Sequence, residues 1–182
     1  VLFNYLFAKK HGGKFILRIE DTDQTRYVEG AEQYIYDCLE WCGLQPDESP
    51  LLGGPYGPYR QSERKALYSS YAKKLIQAGK AYYAFDTPED LEQMREQLKA
   101  AGSASLQYDH RVRLKMKNSL TLSAAETQTL ISNGTPYVIR ILVEPGEILV
   151  LDDMVRGRVE MDTTFTDDKV LMKADGMPTY HL

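Results

Sequence analysis

Only two of the 182 residues are cysteines, Cys38 and Cys42. That is too few for a disulfide framework and fits a reducing compartment, here the cytoplasm. Two thiolates also leave a four-ligand zinc site half filled. Their spacing puts both on the apolar stripe of a helix, so both are expected in the core. No apolar run approaches the ~18 residues of a membrane span. The opening VLFNYLFAKKHGGK has no basic stretch before it and no small-residue cleavage site, which argues against secretion. The Gly/Pro-rich stretch from Pro46 to Pro58 does not end in Gly-Lys-Ser/Thr and does not follow a strand, so it is a loop but not a phosphate-binding one. Internal repeats and low-complexity tracts are absent. Positive charge is in deficit, with 22 Lys+Arg against 26 Asp+Glu and a net charge of −4, which excludes a protein that simply coats nucleic acid.

What is present is ordinary globular material. With 43% hydrophobic and 26% charged residues, a disordered, collagenous or coiled-coil chain is excluded. The length suits one domain or slightly more. Charge is unevenly spread. Residues 20–48 and 144–168 are acidic, whereas 60–80 and 111–117 are basic. Basic strips on an acidic body can bind a polyanion locally, although most such strips are solvated helix faces.

The order of elements reads as α/β in front and mixed α+β behind. Leu2, Phe3, Leu6 and Phe7 have helical spacing, and His11-Gly12-Gly13 stops the helix. Phe15–Ile19 reads as a strand covered on both faces, as in a parallel sheet. A helix of about fifteen residues follows, with a stripe of Val28, Ala31, Ile35, Cys38, Leu39 and Cys42 closed by Gly43. Ser62 is placed to cap a helix running to about Gly79, and Ala81–Phe85 reads as a strand. Thr87-Pro88-Glu89-Asp90 sets a cap, a first-turn proline and two first-turn acids before the stripe Leu91, Met94, Leu98 and Ala101. Ser123 and Glu126 form a capping box, and Asn133-Gly134 ends that helix. Strands are expected at Tyr137–Val143, Ile148–Leu151, Val155–Met161 and Val170–Lys173, with a turn at Asp175-Gly176. The alternation from His110 to Lys117 predicts a strand with one basic face.

Chemistry concentrates where the first strand ends, in Glu20-Asp21-Thr22-Asp23. Open α/β sheets bind ligands beyond the carboxyl ends of their strands. A carboxylate there can hold an ammonium group by a charge-assisted hydrogen bond, which is the anchor a free amino acid needs. Asp21 and Asp23 also make a D-x-D pattern. It can hold Mg²⁺, as in a metal-dependent transferase, but Asp23 serves equally well as a helix cap.

The strings FILRIEDTDQTRYVEGAE, GGPYGPYRQSERKALYSSYAKKLIQAGKAYYAFDTPEDLEQMR and LMKADGMPTYHL stand in the order seen in bacterial glutamyl-tRNA synthetases, and the chain resembles that family throughout. RIEDTD favours the glutamyl enzymes over their glutaminyl relatives. The resemblance implies a class I synthetase and an α/β fold, part of a Rossmann-type catalytic domain interrupted by an α+β insertion that binds the tRNA acceptor stem. Residues 1–80 and 166–182 would belong to the catalytic domain and 81–165 to the insertion. It also implies L-glutamate, ATP with Mg²⁺, and tRNA(Glu) as substrates, and a monomer.

By motif position Glu20 would hold the substrate ammonium and Tyr180 would line the glutamate pocket. Asp23 and Arg26 would lie near the acceptor end of the tRNA. Arg60 and Arg64 would brace the loop behind the site. Arg111 and Arg113, on the basic strand face, are the expected contacts to the acceptor stem. No side chain is assigned a catalytic role, and His110 and His181 stand without partner motifs. The family's HIGH-type and KMSKR-type phosphate motifs, its side-chain-binding arginine and its anticodon-binding domain are not found in these residues. The chain therefore reads as an internal fragment, inactive alone. The stretch AYYAFDTPED has no cysteine, so no structural zinc is expected, and Tyr82, Tyr83 and Phe85 are expected to pack rather than stack on RNA. A paralogue that glutamylates a tRNA base, or a non-catalytic RNA-binding fragment, are the competing readings.

Overall fold

The computed structural model describes residues 1–22 and 28–182. The chain forms two compact units, residues 1–67 and 68–182.

In the first unit, α1 (Leu2–Lys10) ends where Gly12 takes a positive φ of 64°. None of its residues is buried. The expected strand is an extended segment rather than a full ladder. Ile16 bridges Glu48 and Ile19 bridges Arg60, both in parallel sense. Leu17 N–H donates to the Glu48 carbonyl and Ile19 N–H to the Tyr59 carbonyl, each at 2.9 Å. Asp47 and Gln61 N–H donate to the carbonyls of Phe15 and Ile19 at 2.8 and 2.9 Å. All four bonds use odd-numbered residues of the segment, so they lie along one edge. The loop at 49–58 leaves the edge between the two contacts, which is why no continuous strand forms. Burial also alternates: Phe15 is buried, Leu17 and Ile19 are half-buried and Ile16 is exposed. The expectation of cover on both faces is therefore corrected to one.

Helix α2 (Ala31–Trp41) lies between Gly30 at φ 80° and Gly43 at φ 69°. Its inward face carries Glu32, Tyr36 and Leu39, of which only Leu39 is fully buried. The sequence shows the period, but the phase is shifted by one residue. Cys38 and Cys42 are exposed free thiols, so their expected place in the core is corrected. A 3₁₀ turn at Gln61–Arg64 leads into α3 (Lys65–Gln77).

The second unit is built on an antiparallel sheet of β1 (Ala81–Ala84), β2 (Val138–Ile141) and β5 (Val170–Met172), in the order β1–β2–β5. Alternate residues of β1 enter two cores. Ala81 and Tyr83 meet Tyr68, Ala72, Leu75 and Ile76 of α3, together with Ile139, Leu171 and Met172. Tyr82 and Ala84 meet Met94, Leu91 and Leu98 of α4 (Pro88–Ala100), together with Tyr108 and Val112. Each large side chain buried here contributes about 1.5–3 kcal/mol. The sheet is thus sandwiched between two helices, as a buried β1 requires.

Both capping boxes form, Thr87 with Asp90 on α4 and Ser123 with Glu126 on α5 (Ala124–Ser132). The strands β3 (Ile148–Asp153) and β4 (Gly157–Asp162) make a separate two-stranded ribbon. After β5 the chain turns at Asp175-Gly176 and returns, with Thr179 N–H donating to the Leu171 carbonyl at 2.8 Å. Residues 110–117 do not form the expected strand. They hold a 3₁₀ turn, Arg113–Lys115, in which Val112 and Arg113 are buried side by side. Asn118, fully buried, gathers this turn by donating from Nδ2 to the carbonyls of Arg113 (2.6 Å) and Met116 (3.3 Å). Among the described residues, no helix is long and apolar enough to cross a membrane.

Candidate functional site

Glu20 follows directly on the paired segment. Its Oε1 accepts from Arg18 Nη2 at 3.0 Å, and the side chain is 57% exposed. The carboxylate therefore retains acceptor capacity toward solvent. Glu20 and Arg18 border a cleft of about 600 Å³ whose walls also include Asn4, Phe15, Tyr59 and Arg64. A carboxylate and two guanidinium groups thus share one concavity.

The loop behind this cleft is held by buried polar chemistry. Glu48 is buried, yet it accepts from Lys14 Nζ at 2.8 Å and from the Tyr59 hydroxyl. Lys14, and then Tyr59, hold its carboxyl below the usual carboxylate range. Burial, and then Glu48, push the Tyr59 phenol up. Arg64 donates from Nε to the Pro58 carbonyl (2.7 Å) and from Nη2 to the Tyr56 carbonyl (2.6 Å). Arg60 grips Glu32 of α2 with Nη2 (2.7 Å) and Nε (3.1 Å). Arg64 braces the loop as expected, whereas Arg60 ties the 3₁₀ turn to α2 instead. Sequence reasoning misses Glu48 because it lies in a stretch that reads only as loop. The one signal is a pair of acids, Asp47 and Glu48, followed by Ser49 between two prolines.

Asp21 accepts from Ser62 N–H at 2.8 Å and from Ser62 Oγ at 2.5 Å. It caps the 3₁₀ turn, so both its oxygens serve structure and the D-x-D pattern gains no support as a Mg²⁺ site. Asp23 and Arg26 lie outside the described residues. Among the described residues, no group of three or more His, Cys, Asp or Glu is arranged to hold a metal ion.

In the second unit Tyr180 is exposed, its ring 3.9 Å from that of His181. Its neighbour Thr179 fixes it to β5 by donating from Oγ1 to the Val170 carbonyl at 2.5 Å. Tyr82 and Phe85 are buried, and Tyr83 packs edge-on against Tyr137, which accords with a packing role. The basic strip resolves into three kinds of residue. Arg113 is buried and donates to the Val143 carbonyl at 2.7 Å and to Asp168 at 3.4 Å. Its expected contact with RNA is corrected, because the guanidinium is buried and out of a ligand's reach. Arg111 is half-exposed and doubly bonded to Asp109, whose carboxyl it holds below the usual range against the opposing effect of burial. Lys115 and Lys117 are exposed.

All of residues 1–182 match the family model described as the catalytic domain of class I tRNA synthetases (E and Q). The chain belongs to this family. It is 61% identical over 181 residues to the glutamate–tRNA ligase of Amoebophilus asiaticus and 56% identical to that of Cytophaga hutchinsonii. Each comparison covers 100% of this chain but 35% of the relative, so the chain spans about a third of the length of these curated relatives. A crystal structure of a glutamate tRNA ligase from Elizabethkingia meningosepticum, in complex with its amino acid, superposes with a TM-score of 0.93 at 50% identity. That superposition covers 99% of this chain and 36% of the other. A glutamate-tRNA synthetase structure from Elizabethkingia anophelis matches equally well. As a class I synthetase catalytic domain, the chain is Rossmann-like, and the parallel pairing of residues 15–19 is consistent with that architecture.

Proposed function

We propose that the chain is part of a cytoplasmic, monomeric glutamate–tRNA ligase, an enzyme that joins L-glutamate to the 3′ end of tRNA(Glu) at the expense of ATP. The observation that carries this reading is the identity, across the whole chain, to relatives bearing that name. The exposed carboxylate of Glu20 at the end of a parallel-paired segment supports it. Glu20 holds the α-ammonium of glutamate by a charge-assisted hydrogen bond. Tyr180 lines the pocket that receives the same substrate. Residues 1–80 and 166–182 belong to the catalytic domain, and 81–165 form the insertion that meets the acceptor stem. Asp23 and Arg26 lie near the acceptor end, and Arg111 keeps a place among the RNA contacts.

The chemistry needs no side-chain nucleophile. A carboxylate oxygen of glutamate attacks the α-phosphorus of Mg²⁺-ATP and pyrophosphate leaves. A ribose hydroxyl of the terminal adenosine then attacks the activated carbonyl, and AMP leaves. The protein positions the reactants and stabilises developing negative charge. The phosphate-binding motifs that would supply that charge are not among residues 1–182, and no zinc is required here.

In the full-length protein, Glu20→Gln removes one charge-assisted bond of about 1.5–3 kcal/mol and lowers kcat/KM for glutamate about 10- to 100-fold. Unchanged charging of tRNA(Glu) would overturn the role of Glu20. The 182-residue chain by itself is expected to show no glutamate-dependent ATP–pyrophosphate exchange. Exchange above background by the pure chain would contradict that expectation.

A further inference from the structure

The second unit contains a groove of about 510 Å³ between α4 and the 3₁₀ turn Arg113–Lys115. The volume is within the ~300–1,000 Å³ range of ligand sites. Met94, Leu98, Val112 and Met116 give it an apolar floor. Its rim carries Gln93 and Gln97, one helical turn apart on α4, and Lys115 and Lys117 opposite. These four rim side chains are exposed, and none has a side-chain hydrogen bond or ion pair among the described residues. Two carboxylates also border the groove, and both are engaged. Asp86 accepts from the Tyr108 hydroxyl (3.0 Å) and from Lys117 N–H (2.7 Å), and Asp90 accepts from Thr87 N–H (2.8 Å) in its capping box. The free groups are therefore two ammoniums and two carboxamides around an apolar floor.

We propose that this groove seats one unstacked nucleotide of the bound tRNA, an inference that rests on the function proposed above. The apolar floor accepts a base face, which packs against apolar side chains as well as aromatic ones. The carboxamides of Gln93 and Gln97 can each both donate and accept, as the edge of a base requires. Lys115 and Lys117 meet the flanking phosphates. A concave site of this size takes a splayed-out base but not a helical stem, so the contact is to an unpaired nucleotide. It replaces the flat basic strand face expected from the alternation in the sequence.

The test is aminoacylation by the full-length protein with transcribed tRNA(Glu). Lys115→Glu/Lys117→Glu is expected to raise KM for tRNA about 10-fold or more at 0.1 M salt and to flatten its salt dependence, while kcat at saturating tRNA and KM for glutamate stay unchanged. Ala101→Trp fills the groove without altering charge, and it is expected to raise KM for tRNA in the same way. Both exchanges are at the surface, and circular dichroism checks that each variant folds. Unchanged KM in the lysine variant overturns the proposal. An effect of the lysines with none from Ala101→Trp overturns the seated base and leaves surface phosphate contact only. A wild-type protein that does not charge tRNA(Glu) at all refutes the function itself, which keeps the two failures distinguishable.

Discussion

Asp168→Ala should destabilise the second unit by about 3–5 kcal/mol, the usual cost of removing one partner from a buried ion pair. The carboxylate is wholly buried. It accepts from the Tyr82 hydroxyl at 2.6 Å, from Val143 N–H at 3.1 Å and from Arg113 Nη1 at 3.4 Å. Its own backbone also bonds, Asp168 N–H to the Tyr108 carbonyl and Arg140 Nη1 to the Asp168 carbonyl, each at 2.8 Å. Burial, and then the hydrogen bond to Asp168, push the Tyr82 phenol far up, which keeps it a donor at neutral pH. Alanine leaves the Arg113 guanidinium with only the Val143 carbonyl (2.7 Å) and the more exposed Glu144 carboxylate (3.2 Å), and it strands a phenol and an amide without their acceptor in a low-dielectric interior. Asp168→Asn keeps the shape but not the charge, and a smaller loss is expected. Urea unfolding followed by circular dichroism checks both. A midpoint for Asp168→Ala within experimental error of wild type would show that the ion pair carries no stability.

Gly54→Ala is the second large effect, and it falls on the first unit. Gly54 has a φ of 144°, a conformation that residues with a side chain seldom adopt. A Cβ there would also sit 2.6 Å from Glu48 Oε2 and closer still to the Tyr59 hydroxyl. Neither neighbour can move freely, because Glu48 is clamped by Lys14 and Tyr59 within a buried cluster. Backbone strain and overpacking each cost about 1–3 kcal/mol, so a loss of roughly 3 kcal/mol or more is expected. Hydrogen exchange should show it first at the Leu17 and Ile19 amides, which bond to the carbonyls of Glu48 and Tyr59. Wild-type protection of both amides in Gly54→Ala would contradict the close packing described for this loop.

How much of this is legible in the sequence depends on how local the governing interaction is. Thr87 with Asp90, and Ser123 with Glu126, close their bonds over three residues, and both helix starts are readable. The strands of the second unit are readable to within a few residues because glycine and aspartate turns punctuate them. The position of Glu20 at a segment end is readable for the same reason. Arg113 is not. A basic residue in an alternating run looks solvent-facing, and its burial is decided by Asp168, 55 positions away. The phase of α2 is hidden because adjacent stripes compete. Ala31, Ile35, Cys38 and Cys42 look more apolar than Glu32 and Tyr36, yet of the expected stripe only Leu39 is buried, and the face it shares with Glu32 and Tyr36 turns inward, with Arg60 holding Glu32. The role of Glu48 is hidden because loop composition reports flexibility of sequence, not the buried partners that Lys14 and Tyr59 provide.

The outward turn of Cys38 and Cys42 has a practical consequence. They are the two natural thiols of this chain, they sit one helical turn apart, and both are open to solvent. A maleimide dye or spin probe can therefore be attached to α2 without engineering new attachment points and without entering either hydrophobic interior. Mutating one of the pair to serine gives a singly tagged protein whose signal reports on the environment outside that helix.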